Sequence, residues 1–277
     1  MTALDGHLDL RAELRVHGQT VLVRQGFTVP FHLSKPYWDP DHGVLIVQVA
    51  NPTAGILAGD RLTSRIEVAS GAKLCVTTPS ASRVFRMNSG EASAEQSFHV
   101  EAEGWLEVMP EPLVLHRHSR YRQSTSVNVA SGGGLFFADQ LVPGRVGHGE
   151  IWAWDELALD LRLKVDGKLT LVEHVGQNGS ELQALARSVG FGEMAAFANA
   201  VLVEPSSLTP SESPSWRDEI RLLHQNNLWC GASEITPGVW SLRLIGRDGV
   251  ALRHGMTALR RVLAITMSAL RCDLRKL

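Results

Sequence analysis

The stretch Ile66-Glu67-Val68-Ala69-Ser70-Gly71-Ala72-Lys73-Leu74-Cys75-Val76-Thr77 decides the fold. It reads as a strand ending in valine, a tight turn carrying glycine, and a second apolar strand. The same unit recurs at residues 98–108 with its turn at 101–104, at 127–139 with its turn at 130–133, and at 163–173 with Asp166-Gly167 as its turn. Repeated units of this kind predict a mainly β protein. The expected form is stacked hairpins in a β-solenoid-like or layered β body, with a few helices in the C-terminal third. Thr77, Pro110, Asp139 and Glu173 each stand six residues past a turn glycine (Gly71, Gly104, Gly133, Gly167). Stacking in register would align them, and Asp139 and Glu173 are carboxylates in otherwise apolar strands.

Outside the repeat, Leu8, Leu10, Ala12, Leu14 and Val16 alternate with polar residues, which predicts a half-buried strand. His17-Gly18-Gln19 turns it into a second strand at 21–23. Residues 44–49 form an almost unbroken apolar run, the mark of an interior strand. Leu157, Leu159, Leu161, Leu163 and Val165 alternate cleanly, and Asp166-Gly167 is a strong hairpin signal. After Gln177 the period changes. Leu182, Leu185, Ala186 and Val189 recur at helical spacing. Residues 204–214 are a proline-rich loop. Ser215 caps a short helix, and residues 239–245 alternate as a returning strand. At the end, Leu259, Val262, Leu263, Thr266, Leu270 and Leu274 share a helical face, with Arg260, Arg261, Arg271 and Arg275 mainly off it. We expect a single domain over 1–277, a β-rich body at about 1–176 followed by a helix-containing part at about 177–277.

The 277 residues are 44% hydrophobic, enough for a large core. A net charge of -2 argues against general nucleic-acid binding, which needs excess Lys and Arg. Cys75, Cys230 and Cys272 are far apart and odd in number, so no disulfide framework is expected and a cytoplasmic location is. No apolar run is long enough to span a bilayer, and the first residues lack a secretion signal.

Several segments carry candidate chemistry. Residues 51–61 form a loop whose glycines, Gly55 and Gly59, could approach a ligand. It lacks the Gly-Lys-Ser/Thr ending of a nucleotide loop, and Asp60 beside Arg61 suits an ion pair or a turn cap. Thr77-Thr78-Pro79-Ser80-Ala81-Ser82-Arg83-Val84-Phe85-Arg86 offers hydroxyls and two arginines to an oxyanion, or is a polar loop satisfying its own backbone. Asp139 and Glu173 face solvent, pair with a cation or line a wet cavity, because an unpaired buried carboxylate costs several kcal/mol. His116 and His118 at i, i+2 would share a strand face and could clamp a metal, though no third ligand is evident. Arg145, His148 and Glu150 form a charged turn that suits a structural salt bridge. No common hydrolase or zinc signature occurs.

Taken in order, these segments resemble the UreD (UreH) family of urease accessory proteins. Residues 51–61 resemble its glycine-rich Gly-Asp segment, with Gly55, Gly59, Asp60 and Arg61 in place. Residues 77–86 are similar to its Thr-Thr-Pro segment, with Thr77, Thr78, Pro79, Arg83 and Arg86. Leu106-Glu107-Val108-Met109-Pro110-Glu111 resembles its Leu-Glu-Trp-x-Pro-Gln stretch through Glu107 and Pro110. Residues 144–150 match its Gly-Arg turn through Gly144, Arg145, Gly149 and Glu150. Thr53-Ala54, Arg83, Val108-Met109, Glu111 and the C-terminal end depart from the family pattern.

The resemblance implies a non-enzymatic maturation factor. Such proteins join UreF and the GTPase UreG in a hetero-oligomer on apo-urease, and a dimer of that complex is a further form the resemblance allows. They help deliver nickel, and the family is regarded as a path for the metal. That implies transient Ni2+ and no permanent cofactor, no catalytic residues, no nucleic acid and no membrane. Weak oxygen sites suit a conduit because each must release its ion. We therefore expect Asp60, Ser82, Asp139 and Glu173 to line an internal wet passage, with Asp139 and Glu173 as its acidic core. The competing readings are a β-rich scaffold with no metal role, a diverged copy serving another metalloenzyme, and an enzyme using the 77–86 hydroxyls.

Overall fold

The computed structural model describes residues 3–206 and 215–274. Most of the expected proline loop and the last three residues, including Arg275, lie outside them.

Two facing sheets form the body. Arg61–Val68, Ala92–Val100, Arg120–Val129 and Glu156–Val165 run parallel and adjacent in a seven-stranded sheet. Lys73–Thr77, Trp105–Met109 and Gly134–Val142 run parallel in an eleven-stranded sheet. The first three repeat units are therefore coils. Their corners, at residues 69–72, 101–104 and 130–133, carry the chain from one sheet to the other. The corners are stitched to one another. Glu101 N–H donates to Val68 C=O, and Ala130 N–H to Val100 C=O. Trp105 and Gly134 N–H reach Ala72 and Gly104 C=O in the same way. This close stacking explains the glycine at Gly133, where a Cβ would sit 2.8 Å from Glu101 O.

The fourth unit is different. Asp166-Gly167 joins Glu156–Val165 to Lys168–Gln177 as antiparallel neighbours in the same sheet. A two-residue turn reverses the chain within one hydrogen-bonding spacing, whereas the longer corners can cross the roughly 10 Å between packed sheets. Glu173 consequently lies on the opposite sheet from Asp139.

The in-register ladder builds the core. Ile66, Phe98, Val127 and Leu163 form one row of the first sheet, and Leu74, Leu106 and Leu135 form a facing row of the second. Phe98 and Phe137 meet across the interface with ring centroids 6.2 Å apart. Asp5–Leu14 adds to the first sheet beside Arg61–Val68, as its alternation predicts. Val44–Ala50 adds to the second beside Lys73–Thr77, buried on both faces as its unbroken run predicts. Ala196–Val203, Val239–Gly246 and Leu228–Thr236 extend the second sheet on its other side.

A helical layer covers the outer face of the second sheet. Ser215 caps its short helix Trp216–Glu219 at the expected place, while the helix Gly179–Ser188, capped by Asn178, lies apart from this layer, with Leu182 and Ala186 packed in the cluster of Trp152, Trp154 and Leu157. The long helix Gly249–Leu263 starts at Asp248, whose side chain accepts the N–H groups of Val250 and Ala251. Leu252, Met256, Leu259 and Leu263 bury its inner face. This corrects the expected boundaries. The helix begins before Leu259 and stops at Leu263, and Leu270 belongs to a separate 3-10 turn, Ser268–Arg271. Arg260 is also not off the buried face. Its Nε and Nη2 donate to Glu107 at 2.6 and 3.0 Å, and Glu107 is 0% exposed. A carboxylate with no access to water needs a cation, so the helix turns an arginine inward.

Replacing Phe98 with Ala opens a cavity between the two sheets and should cost about 3–5 kcal/mol in a denaturant titration. An effect under about 1 kcal/mol would mean that the facing rows do not hold the body together.

Candidate functional site

On strand Gly134–Val142, Leu135 and Phe137 point into the space between the sheets, and Asp139 continues that row. From the facing strand, Gln123 Nε2 donates to Asp139 Oδ1 at 3.1 Å, and Tyr121 Oη contacts Gln123 Oε1 at 3.2 Å. Among the described residues, no cation is paired with Asp139. Burial pushes its carboxyl up from 3.8 to about 6, against the Gln123 hydrogen bond and helped by the charge of Glu173.

Glu173 approaches from the other sheet, opposite Leu161. Its Oε1 accepts from Ser241 Oγ at 3.3 Å and pairs with Arg243. Asp139, Asn199 and Arg243 are lateral neighbours in the second sheet. The two acids thus flank the open side of the sandwich, where the two sheets part.

Three spaces meet at Asp139. An interior cavity of about 160 Å³ is lined by Ser82, Gln96, Gln123, Thr77 and Asp139 among apolar neighbours. A crevice of about 10 Å³ follows, lined by Asp139, Asp160, Glu173 and Asn199. That is room for about one water. Beyond it opens a groove of about 1100 Å³ lined by Asp139, Glu173, His174, Trp229 and Arg243. At the other end, the interior cavity shares Phe31, Thr78 and Ser82 with a mouth of about 240 Å³ that also includes Thr53, Gly55, Pro79 and Arg83.

Ser82, Asp139 and Glu173 thus lie along one series of spaces. Asp60 does not join them. It is 2% exposed, and its two oxygens accept the N–H groups of Leu4 and Leu57 at 2.9 and 2.8 Å. It serves as the turn cap of the 51–61 loop, because a short carboxylate beside a glycine turn satisfies backbone donors better than it reaches a cavity. Arg61 is exposed and in the first sheet. Gly55 allows close approach, since a Cβ there would meet Arg83 O at 2.6 Å, and Gly59 adopts a φ of 87°.

The expected alignment at six residues past each glycine holds in part. Met109 pairs with Thr77 and Val108 with Phe137, so Pro110 and Asp139 share a level and Thr77 is one step short of it. Of the 77–86 hydroxyls, those of Thr77 and Thr78 serve the backbone. Thr77 Oγ1 donates to Met109 O, and Thr78 Oγ1 accepts from Glu111 N. Arg83 and Arg86 are exposed.

His116 and His118 do not share a strand face. The strand ends at Leu115, and His118 takes a φ of 58° and pairs with Asp155 at 3.0 Å. His116 is buried against Phe85. Among the described residues, no group of three His, Cys, Asp or Glu is placed to hold a metal. Gly144–Arg145 and Glu150–Ile151 form a small two-stranded sheet, with Arg145 Nη1 3.4 Å from Glu150 Oε1 and Gly149 left-handed. This is the structural salt bridge that the sequence suits. Gln123, Asn199, Ser241 and Arg243 were missed. Arg243 sits at a polar position of an alternating strand, a pattern that says nothing about which partner it meets.

A family model described as UreD urease accessory protein matches residues 4–275. A urease accessory protein UreD of Opitutus terrae is 52% identical over 272 residues, 98% of each chain. One from Haloarcula marismortui is 40% identical over 147 residues, covering 53% of this chain and 49% of its own. One from Yersinia enterocolitica is 39% identical over 145 residues, covering 52% and 44%. No helix among the described residues is long and apolar enough to cross a membrane.

The raised Asp139 carboxyl has a consequence for stability. The unfolded chain releases this proton near pH 4, while the folded protein keeps it to about pH 6. Stability therefore falls as pH rises through that interval and levels off above it. Asp139→Asn should stabilise the protein at pH 7.5 by on the order of 2 kcal/mol and leave it unchanged at pH 4, read from paired urea titrations. An equal effect at both pH values would contradict an enclosed, cation-free carboxyl.

Proposed function

Because this chain belongs to the UreD family of urease accessory proteins, and so has a role in urease maturation, we propose that it is a non-enzymatic scaffold through which nickel reaches apo-urease. The observation that carries this reading is Asp139, a carboxylate without a cation partner among the described residues, which borders the interior cavity, the crevice and the groove. An anionic oxygen enclosed without a counter-ion lowers its energy by meeting a divalent cation and its waters.

The passage we propose starts at the hydroxyl-rich mouth beside Thr78 and Ser82, crosses the interior cavity and leaves through the groove. A few hydroxyl, amide and carboxylate oxygens, from Thr77, Ser82, Gln96, Gln123, Asp139 and Glu173, punctuate its mostly apolar walls. Nickel prefers nitrogen ligands, so these oxygens hold it briefly and let it go. The crevice between Asp139 and Glu173 sets the narrowest point. There the ion sheds most of its water, and the two carboxylates replace that water. Glu173 must exchange Arg243 for the ion, which makes the exposed arginine a competitor that sends the ion onward.

The groove's rim also suits a protein partner. Val172, Leu185, Trp229 and Ile235 are exposed apolar side chains that line it, and contiguous patches of this kind mark association surfaces. We assign partners of the UreF and UreG kind, in a cytoplasmic hetero-oligomer with apo-urease. The GTP chemistry belongs to the partner, since this chain carries no nucleotide loop. The chain acts as a single domain in this reading.

The test is urease activation from purified components at limiting nickel. A variant carrying Asp139→Ala and Glu173→Ala should assemble with its partners on size-exclusion chromatography yet lower nickel incorporation about tenfold or more, which is about 1.4 kcal/mol in the limiting step. Unchanged nickel incorporation would reject the passage. Loss of assembly would assign both acids a structural role instead.

A further inference from the structure

Away from the cavities, a polar cluster is buried between the second sheet and the helical layer. Cys75 lies mid-strand with Leu74 and Val76 turned to the inner core, so its thiol faces the helices. Glu107 is its lateral neighbour on the next parallel strand. Arg260 binds Glu107 with two donors and spends the rest on Cys272. Nη1 reaches Cys272 O at 2.9 Å, and Nη2 reaches Cys272 Sγ at 3.1 Å. Arg260 thus links Cys272 Sγ to Glu107, the lateral neighbour of Cys75, and both cysteines belong to one buried cluster. One arginine therefore fixes both the backbone and the sulfur of Cys272 beside a second thiol.

A buried cysteine is often only a small apolar filler. Here the two sulfurs are treated unequally. Arg260 Nη2 donates to Cys272 Sγ and favours its thiolate, whereas Cys75 sits in the middle of the sheet, where burial pushes its thiol well above the ordinary range. The third cysteine, Cys230, stands on the strand Leu228–Thr236, and burial pushes it up to about 11.

We propose that Cys272 and Cys75 are a redox-active pair that a hydroperoxide converts to an intramolecular disulfide. The Cys272 thiolate sulfur attacks one peroxide oxygen, the O–O bond breaks, and the leaving oxygen departs as water after protonation. Cys272 is then a sulfenic acid. The Cys75 sulfur attacks the Cys272 sulfur, its proton leaves with the hydroxyl, and a second water forms as the S–O bond breaks. Two thiols lose two electrons and two protons, and hydrogen peroxide becomes two waters. Cys272 is 1% exposed, but it follows the single 3-10 turn Ser268–Arg271. Displacing that turn admits a small peroxide without disturbing the sheet. The bond would tie the C-terminal segment to the middle of the second sheet and close a loop spanning most of the chain, the kind that most restricts the unfolded state.

The test uses the reduced full chain treated with hydrogen peroxide, quenched with catalase, denatured in the presence of N-ethylmaleimide and digested without reductant for peptide mass analysis. The expected product in most chains is one Cys75–Cys272 linkage, with Cys230 alkylated and the melting temperature raised. Cys75→Ser should stop at a Cys272 sulfenic acid that dimedone traps, and Cys272→Ser should give neither product. If a variant fails to fold, the wild-type map decides alone. Linkages through Cys230, links between chains, or Cys75 and Cys272 both still alkylated while Cys230 is oxidised would overturn the proposal.

Discussion

The structure depends on parallel strands stacked in register. Val68, Val100, Val129 and Val165 occupy one level, and Ile66, Phe98, Val127 and Leu163 another. Each backbone N–H and C=O in such a ladder is satisfied by the neighbouring coils, and the inward apolar side chains stack on one another. A strand that slipped by one residue would turn its whole apolar row outward. The corners obey the same constraint, since they donate to the corner before them. The ladder fixes the depth of every inward position, including the point where Asp139 replaces an apolar side chain.

Within that frame, Asp60, Glu107 and the half-buried Asp139 reach three different solutions. Asp60 gives both oxygens to backbone donors. Glu107 is neutralised by Arg260 in a bidentate pair that also anchors the C-terminal segment. Asp139 has an amide and a cavity. The first two are closed arrangements in which the charge is matched and no ligand is needed. The third leaves negative charge facing a space, and there the burial cost is recovered only by a mobile cation, by water or by a proton. Glu173 stands between these cases. Arg243 matches it, but at an exposed edge where that partner can be exchanged.

The groove and the cysteine cluster occupy opposite faces of the same sheet. Asp139 points inward from Gly134–Val142, and Phe136 and Ala138 point outward into the helical layer that also holds Cys75. The second sheet is thus a wall with a wet side and a dry side. Its central strands set the position of the 77–86 loop at one end of the cavities and receive the C-terminal segment on the other face.

The sequence by itself determined the repeating β unit, the interior strand at 44–49, the Asp166-Gly167 hairpin and the Ser215 cap, because all depend on local period and turn chemistry. It also singled out Asp139 and Glu173 as acids out of place, and four ordered motifs carried the family. It did not determine which turns cross between sheets, since a corner and a hairpin use the same glycine signal. The helix boundary near Leu263 and the inward turn of Arg260 were hidden as well, because Arg260 answers to Glu107, far away in the chain. Only the tertiary structure decided that Asp60 caps a loop while Asp139 meets Gln123, Glu173 and a cavity. A carboxylate's role is set by the donors and the space around it, and those come from strands that the sequence order keeps apart.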